Sequence, residues 1–184
     1  MVEPFASVYE LPAQARQGVD AADAQAALDT VSGAIRSYCH WVVSREVVTG
    51  AKLSPAGRRR VWLPTMALVS VEAVVEDGVT LAAGVDFDFD STGLLLRAGR
   101  WTTTMNGLLV SYTHGYAFTD WQLQAVRGVC LSAAARHVGN PGGHRSETRG
   151  PFSWTVGGSG DDAGSPLTAA DHTVLDPFVV DTVA

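Results

Sequence analysis

The side chains with chemistry to offer are few and scattered. Five histidines (His40, His114, His137, His144 and His172) and two cysteines (Cys39 and Cys130) are the groups best suited to nucleophilic or metal chemistry. No two histidines stand at metal-ligand spacing, and the cysteines are too far apart for a zinc motif or a disulfide framework. A Cys/His pair, such as Cys130 with His114, would suit a small cysteine hydrolase. Cys130 falls on the apolar face of an expected helix, where thiolate formation is disfavoured. Asp86, Asp88 and Asp90 imitate the opening of a calcium loop, but Ser91 stands where that loop needs Gly and Arg97 where it needs Glu. The simpler reading is a strand with Phe87 and Phe89 inward and the aspartates outward. There is no phosphate-binding loop, no zinc-protease helix and no serine nucleophile elbow. No cofactor or metal is expected.

What remains are groups suited to contact. Arg58, Arg59 and Arg60 form the single basic run, able to meet phosphate, to dock an acidic segment of a neighbouring chain, or to flank a loop in solvent. Five tryptophans are many for 184 residues, and Trp121 falls off the apolar face of its helix, as either a contact anchor or a residue packed under a loop would.

The charge of −6 is unevenly placed. Residues 1–30 hold five acids and one base; residues 31–160 hold twelve bases and nine acids; residues 161–184 hold five aspartates and no base. Such a chain is not a basic nucleic-acid binder. Its acidic end suits docking on a basic partner or solvation. A charged fraction of 17% with 46% hydrophobic residues fits a subunit whose sides are covered by neighbours. No basic region followed by an apolar run opens the chain, and no apolar stretch is long enough to span a membrane, so synthesis in a reducing cytoplasm is expected.

Residues 1–19, with Pro4 and Pro12, read as an irregular N-terminal arm. A core domain over 20–138 follows. A helix starts at Asp20 and places Ala24, Ala27, Leu28, Val31, Ala34, Ile35 and Tyr38 on one face, with Ser32 off it. Short strands fall at 41–50, 61–63, 68–76, 79–81, 85–90, 94–97 and 108–113. In 68–76, Val69, Val71, Ala73 and Val75 should share one face, and Asp77-Gly78 makes a tight hairpin turn. Connections this short make an antiparallel meander. A second helix over 120–138 buries Leu123, Val126, Cys130, Ala133, Ala134 and His137, and Gly139 to Gly143 end it. Residues 139–184 form a C-terminal extension: a Gly- and Ser-rich arm carrying Phe152 and Trp154, a short helix capped by Ser165 or Thr168, and an apolar tip at Phe178-Val179-Val180. The class is α+β, two main helices flanking an antiparallel β-meander.

Several motifs in this order resemble a known family. Ile35-Arg36-Ser37-Tyr38-Cys39-His40-Trp41 closes the first helix, and Leu63-Pro64-Thr65 with Val69-Ser70-Val71 enters the meander. Ser111-Tyr112-Thr113-His114-Gly115-Tyr116 ends it. Ala133-Ala134-Ala135-Arg136, Ser146-Glu147-Thr148 with Gly150, Leu167-Thr168 and Leu175-Asp176-Pro177-Phe178 follow. Together they resemble the head-to-tail adaptor (head-tail connector) proteins of long-tailed bacteriophages and prophages, especially those of actinobacterial hosts.

That resemblance implies a structural protein of the virion neck, not an enzyme. Its partners would be copies of itself in a ring, usually dodecameric, the portal of the capsid, the tail-side stopper, and passing DNA held without sequence-specific binding. It implies no membrane partner. On this reading Phe152, Trp154, Leu167, Leu175, Phe178, Val179 and Val180 contact the portal. Arg58, Arg59, Arg60, Trp101 and Trp121 contact sibling subunits or the DNA channel. Rival expectations are another neck or tail-completion protein such as a stopper, a cysteine hydrolase, or a monomeric regulatory module.

Overall fold

The computed structural model describes residues 4–139, 146–149, 152–155 and 165–180. The chain divides into two compact units, residues 1–38 with 124–177 and residues 39–123 with 178–184. Helices and antiparallel sheets are both present, in agreement with the expected α+β class.

The first unit is helical. Helix α2 (Ala21–Cys39) starts where Asp20 accepts a hydrogen bond from the Ala22 amide at 3.2 Å. Its inward stripe of Ala24, Ala27, Leu28, Val31 and Ile35 is the one that the spacing of apolar residues requires. Ser32 departs from the expectation and is fully buried. Its hydroxyl accepts from the Phe5 amide at 3.2 Å and touches the Cys130 sulfur at 3.5 Å, so a short polar side chain can lie inward when both its partners do. Helix α3 (Trp121–Gly139) buries Leu123, Val126, Val129, Cys130, Ala133, Ala134 and Val138, with His137 half-buried.

The arm read as irregular carries a 3₁₀ turn (Val8–Glu10) and helix α1 (Ala13–Arg16). Phe5 and Leu11 are buried in it. Arg127 on α3 explains this order. Its Nε donates to the Phe5 carbonyl at 2.9 Å, its Nη1 to Gln124 at 3.1 Å, and its Nη2 pairs with Glu10. A buried guanidinium needs such partners, and the arm supplies two of them. Near the C-terminus, Thr168 caps helix α4 (Ala169–Leu175), and Asp171 accepts from the Thr168 amide at 2.8 Å while pairing with Arg136.

The second unit holds two antiparallel sheets. Strands β1 (Glu46–Leu53), β3 (Leu68–Glu76), β4 (Val79–Leu81) and β7 (Leu108–His114) make the larger, in the order β1-β7-β3-β4. Strands β2 (Arg60–Trp62), β5 (Phe87–Phe89) and β6 (Leu94–Arg97) make the smaller, in the order β2-β6-β5. The order is thus interleaved rather than the sequential one of a simple meander. Strand β7 alternates strictly, burying Leu108, Val110, Tyr112 and His114.

Strand β3 does not keep the expected phase. Its register against β7 shifts between Leu68 and Ser70 and again between Val71 and Ala73. Each bulge moves later side chains to the other face. Val74 is therefore buried, while Val69 is exposed. Asp77 and Gly78, both at positive φ, turn β3 into β4 as expected. The two sheets share one core of Val61, Leu63, Leu68, Val74, Phe87, Leu95, Trp101, Leu108, Val110 and Tyr112. Glu76 ties them at the rim, pairing with Arg97 and accepting from the Thr102 amide at 2.7 Å.

Candidate functional site

Cys130 is buried, and burial raises its thiol above the ordinary range despite the Ser32 contact. Cys39 is also buried, its thiol pushed up to about 11. His114 is buried against Tyr112 and Trp41, with ring centroids 5.3 and 5.9 Å away. Burial lowers its pKa, with Glu46 opposing, and its Nδ1 has no partner among the described residues. These are uncharged core groups.

Asp90 accepts from the Thr92 amide and hydroxyl and from the Leu94 amide, so it shapes the β5–β6 turn. Asp86 accepts from the Ala82 amide at 2.8 Å. Among the described residues, no group of three or more His, Cys, Asp or Glu is placed to hold a metal ion. Phe87 is inward as expected, whereas Phe89, at a sheet edge, is 40% exposed.

The arginine run lines a surface groove. A turn at Pro55, Ala56 and Gly57 presents it, closed by the Arg58 amide donating to the Pro55 carbonyl at 3.1 Å. Ala56 and Gly57 both take positive φ there. Arg58, Arg59 and Arg60 are exposed and line a groove of about 700 Å³ with Gly57, Trp62, Leu96 and Arg100. Arg59 Nη2 donates to the Ala98 carbonyl at 2.7 Å, and Arg100 Nη1 to the Gly57 carbonyl at 3.3 Å, which ties both of these guanidinium groups to the backbone. Trp62 is 49% exposed and Leu96 39%. Among the described residues, no acid lines the groove. Four arginines around an apolar floor suit carboxylates or phosphates carried on a partly apolar partner. Arg100 was not legible as part of this group, because only the fold brings the loop after β6 beside residue 57.

The other expected contact residues divide. Trp101 is a core residue, 2% exposed, with Phe87 at 6.0 Å and the Arg97 guanidinium at 5.5 Å, and is corrected as a contact candidate. Trp121, at the start of α3, is 72% exposed, as expected. Leu167, Leu175 and Phe178 are buried in their own chain, so they are not open anchors either. Phe178 packs edge-on to Tyr116 at 6.2 Å, and its carbonyl accepts from Trp41 Nε1 at 2.7 Å. Val179 and Val180 are half-buried, and the Val180 amide donates to the Cys39 carbonyl at 3.0 Å. Residues 165–180 therefore bury much of their apolar surface within their own chain. Phe152 and Trp154 lie on β9 (Phe152–Thr155), which pairs with β8 (Ser146–Arg149), but their side chains, like His144, lie outside what is described.

No helix among the described residues is long and apolar enough to cross a membrane. No family model matches the chain, and no curated protein does. Solved structures do. A chain from the neck of an empty gene transfer agent particle, computed with C6 symmetry, aligns over 100% of this chain and 95% of its own length, with a TM-score of 0.56 and 15% identity. A chain from the neck of the native particle, computed with C12 symmetry, aligns over 100% and 97%, with a TM-score of 0.53 and 15% identity. This chain thus shares its fold, from end to end, with chains solved in the necks of gene transfer agent particles.

Proposed function

We propose that this chain is a structural, non-enzymatic subunit of the neck of a phage-like particle, of the head-tail adaptor kind. Copies form a dodecameric ring that joins the capsid portal to the tail-side stopper and surrounds the path of the DNA. The end-to-end fold likeness to two neck chains carries this reading. The symmetry of those particles supports a ring, since closed rings need the same two surfaces repeated on every subunit. The residue chemistry agrees with it: the thiols and His114 are buried, while Arg58, Arg59, Arg60 and Trp121 are exposed.

In this reading Arg58, Arg59, Arg60 and Trp121 face sibling subunits or DNA. Phe152, Trp154, Val179 and Val180 remain portal contacts, and Leu167, Leu175 and Phe178 serve the subunit's own core. The test is electron microscopy of the purified chain mixed with portal rings of the particle it comes from. A ring stacked on the portal, with a central channel, is expected. A chain that remains single and leaves portals bare would overturn the assignment.

A further inference from the structure

The smaller sheet, β2-β6-β5, has opposite charge at its two edges. Strand β2 is one edge and carries Arg60, next to Arg58 and Arg59. Strand β5 is the other and carries Asp88, between Asp86 and Asp90. Registers place Arg60 opposite Leu96 and Leu96 opposite Asp88. One row across the outer face therefore reads basic, apolar, acidic. Two strand spacings, about 10 Å in all, separate its ends. All three residues are exposed, and neither Arg60 nor Asp88 forms an ion pair within the described chain. Each edge also holds apolar surface. Trp62 stands two residues from Arg60 on the same face of β2, and Phe89, which follows Asp88 and faces the other side of β5, is 40% exposed at that edge.

We infer that this sheet is a head-to-tail contact between copies of the chain, the Arg58–Arg60 edge of one copy seating against the Asp86–Asp90 edge of the next. The inference rests on the ring reading and gives it a surface. Two different, complementary edges on one subunit can repeat head to tail and close into a ring when the rotation permits, whereas reciprocal pairing of both edges about a two-fold axis would stop at a dimer; the length of the covalent ladder separates the two. The groove beside Trp62 and Arg100 offers a seat for a partly apolar segment of the next copy, with guanidinium groups around it. The contact is through side chains rather than by adding a strand. The outer edge of β5 is already met by its own turn, where the Gly84 amide donates to the Phe87 carbonyl at 2.8 Å. Exposed charges at this spacing are screened by salt, so the contact weakens as ionic strength rises.

Substituting both Arg60→Cys and Asp88→Cys in the full chain, followed by mild oxidation to disulfides, tests this directly, because about 10 Å within one chain is too far for an internal disulfide and each bridge must join two chains. The native cysteines are buried and stay silent. A ladder of covalent multimers is expected from the double variant, and at most dimers from either single variant. Charge reversal supplies the second arm. R60D or D88R alone should weaken association at least about tenfold, since like charges then face each other. Mixing R60D chains with D88R chains should restore it, because each altered edge then meets its opposite. No ladder, or no restoration on mixing, overturns the inference. A single chain whose arginine groove instead retards duplex DNA overturns it in favour of a phosphate partner. Rings seen by microscopy without the ladder sink this contact and leave the neck reading; a ladder that never closes into rings does the reverse.

Discussion

Phe178→Ala separates two roles for the C-terminal segment. If Phe178 were an anchor held out for a partner, truncating it would leave the subunit's stability unchanged. The structure buries it to 5% exposure, edge-on to Tyr116 and with its carbonyl bonded to Trp41 Nε1. Replacing a buried Phe by Ala costs about 3–5 kcal/mol in transfer energy and residual cavity. The backbone bond to Trp41 survives the substitution, so the side chain alone accounts for the loss. For a chain of this size that cost lowers the melting midpoint by about 6–20 °C. The assay is thermal and denaturant unfolding followed by tryptophan fluorescence and by circular dichroism, on the isolated subunit. The transition of the unit that holds residues 39–123 and 178–184 should move, because Phe178 packs there. A midpoint within a few degrees of the unaltered chain, together with lost portal binding, would refute the burial argument and return Phe178 to the partner surface.

Gly115→Ala should destabilise the sheet unit by at least about 2 kcal/mol, read as a lower denaturant midpoint. Gly115 has φ +90°, and an added Cβ would lie 2.3 Å from the Ser44 carbonyl oxygen. His114 predicts an acid slope. Burial lowers its pKa from the ordinary 6.5, so the folded state binds its proton less readily than the unfolded state. Its neutral form therefore supports the fold above about pH 6.5, and that support is lost as pH falls toward the lowered value. Unfolding measured from pH 7.5 to 5 should show declining stability, and His114→Gln should flatten that decline. The lowered carboxylates Glu10, Glu72 and Asp90 contribute a separate loss at more acidic pH. Cys39 and Cys130 should resist a water-soluble thiol reagent at pH 8 until the chain is unfolded, because both are buried and have raised thiol pKa values. Rapid labelling of the native chain would reopen the hydrolase reading.

Local pattern carried the elements that are periodic and self-contained. The α2 stripe, the α3 face and the Asp77-Gly78 turn follow from side-chain period and turn chemistry, which neighbouring residues settle among themselves. Strand β3 shows where such reading stops. Its valines alternate in sequence, but two bulges against β7 change their faces, and a bulge is a property of the pair. The N-terminal arm misled for a related reason. Its prolines and weak periodicity say nothing of Arg127, more than a hundred residues away, whose need for partners orders residues 5–10. Trp101, Leu167, Leu175 and Phe178 were read as surface because they stand in loops or near the end, and long-range packing buries all four.

Composition and motif thus determined the class: an α+β chain without a reactive constellation, acidic overall, with one arginine run and an exposed Trp121. The tertiary structure decided which of its aromatic residues face out, joined Arg100 to Arg58–Arg60 around Trp62, and set a basic and an acidic edge on opposite sides of one three-stranded sheet. Charge can be counted along a chain. Where it lies across a sheet depends on strand order, and strand order comes from long-range pairings that local spacing does not encode.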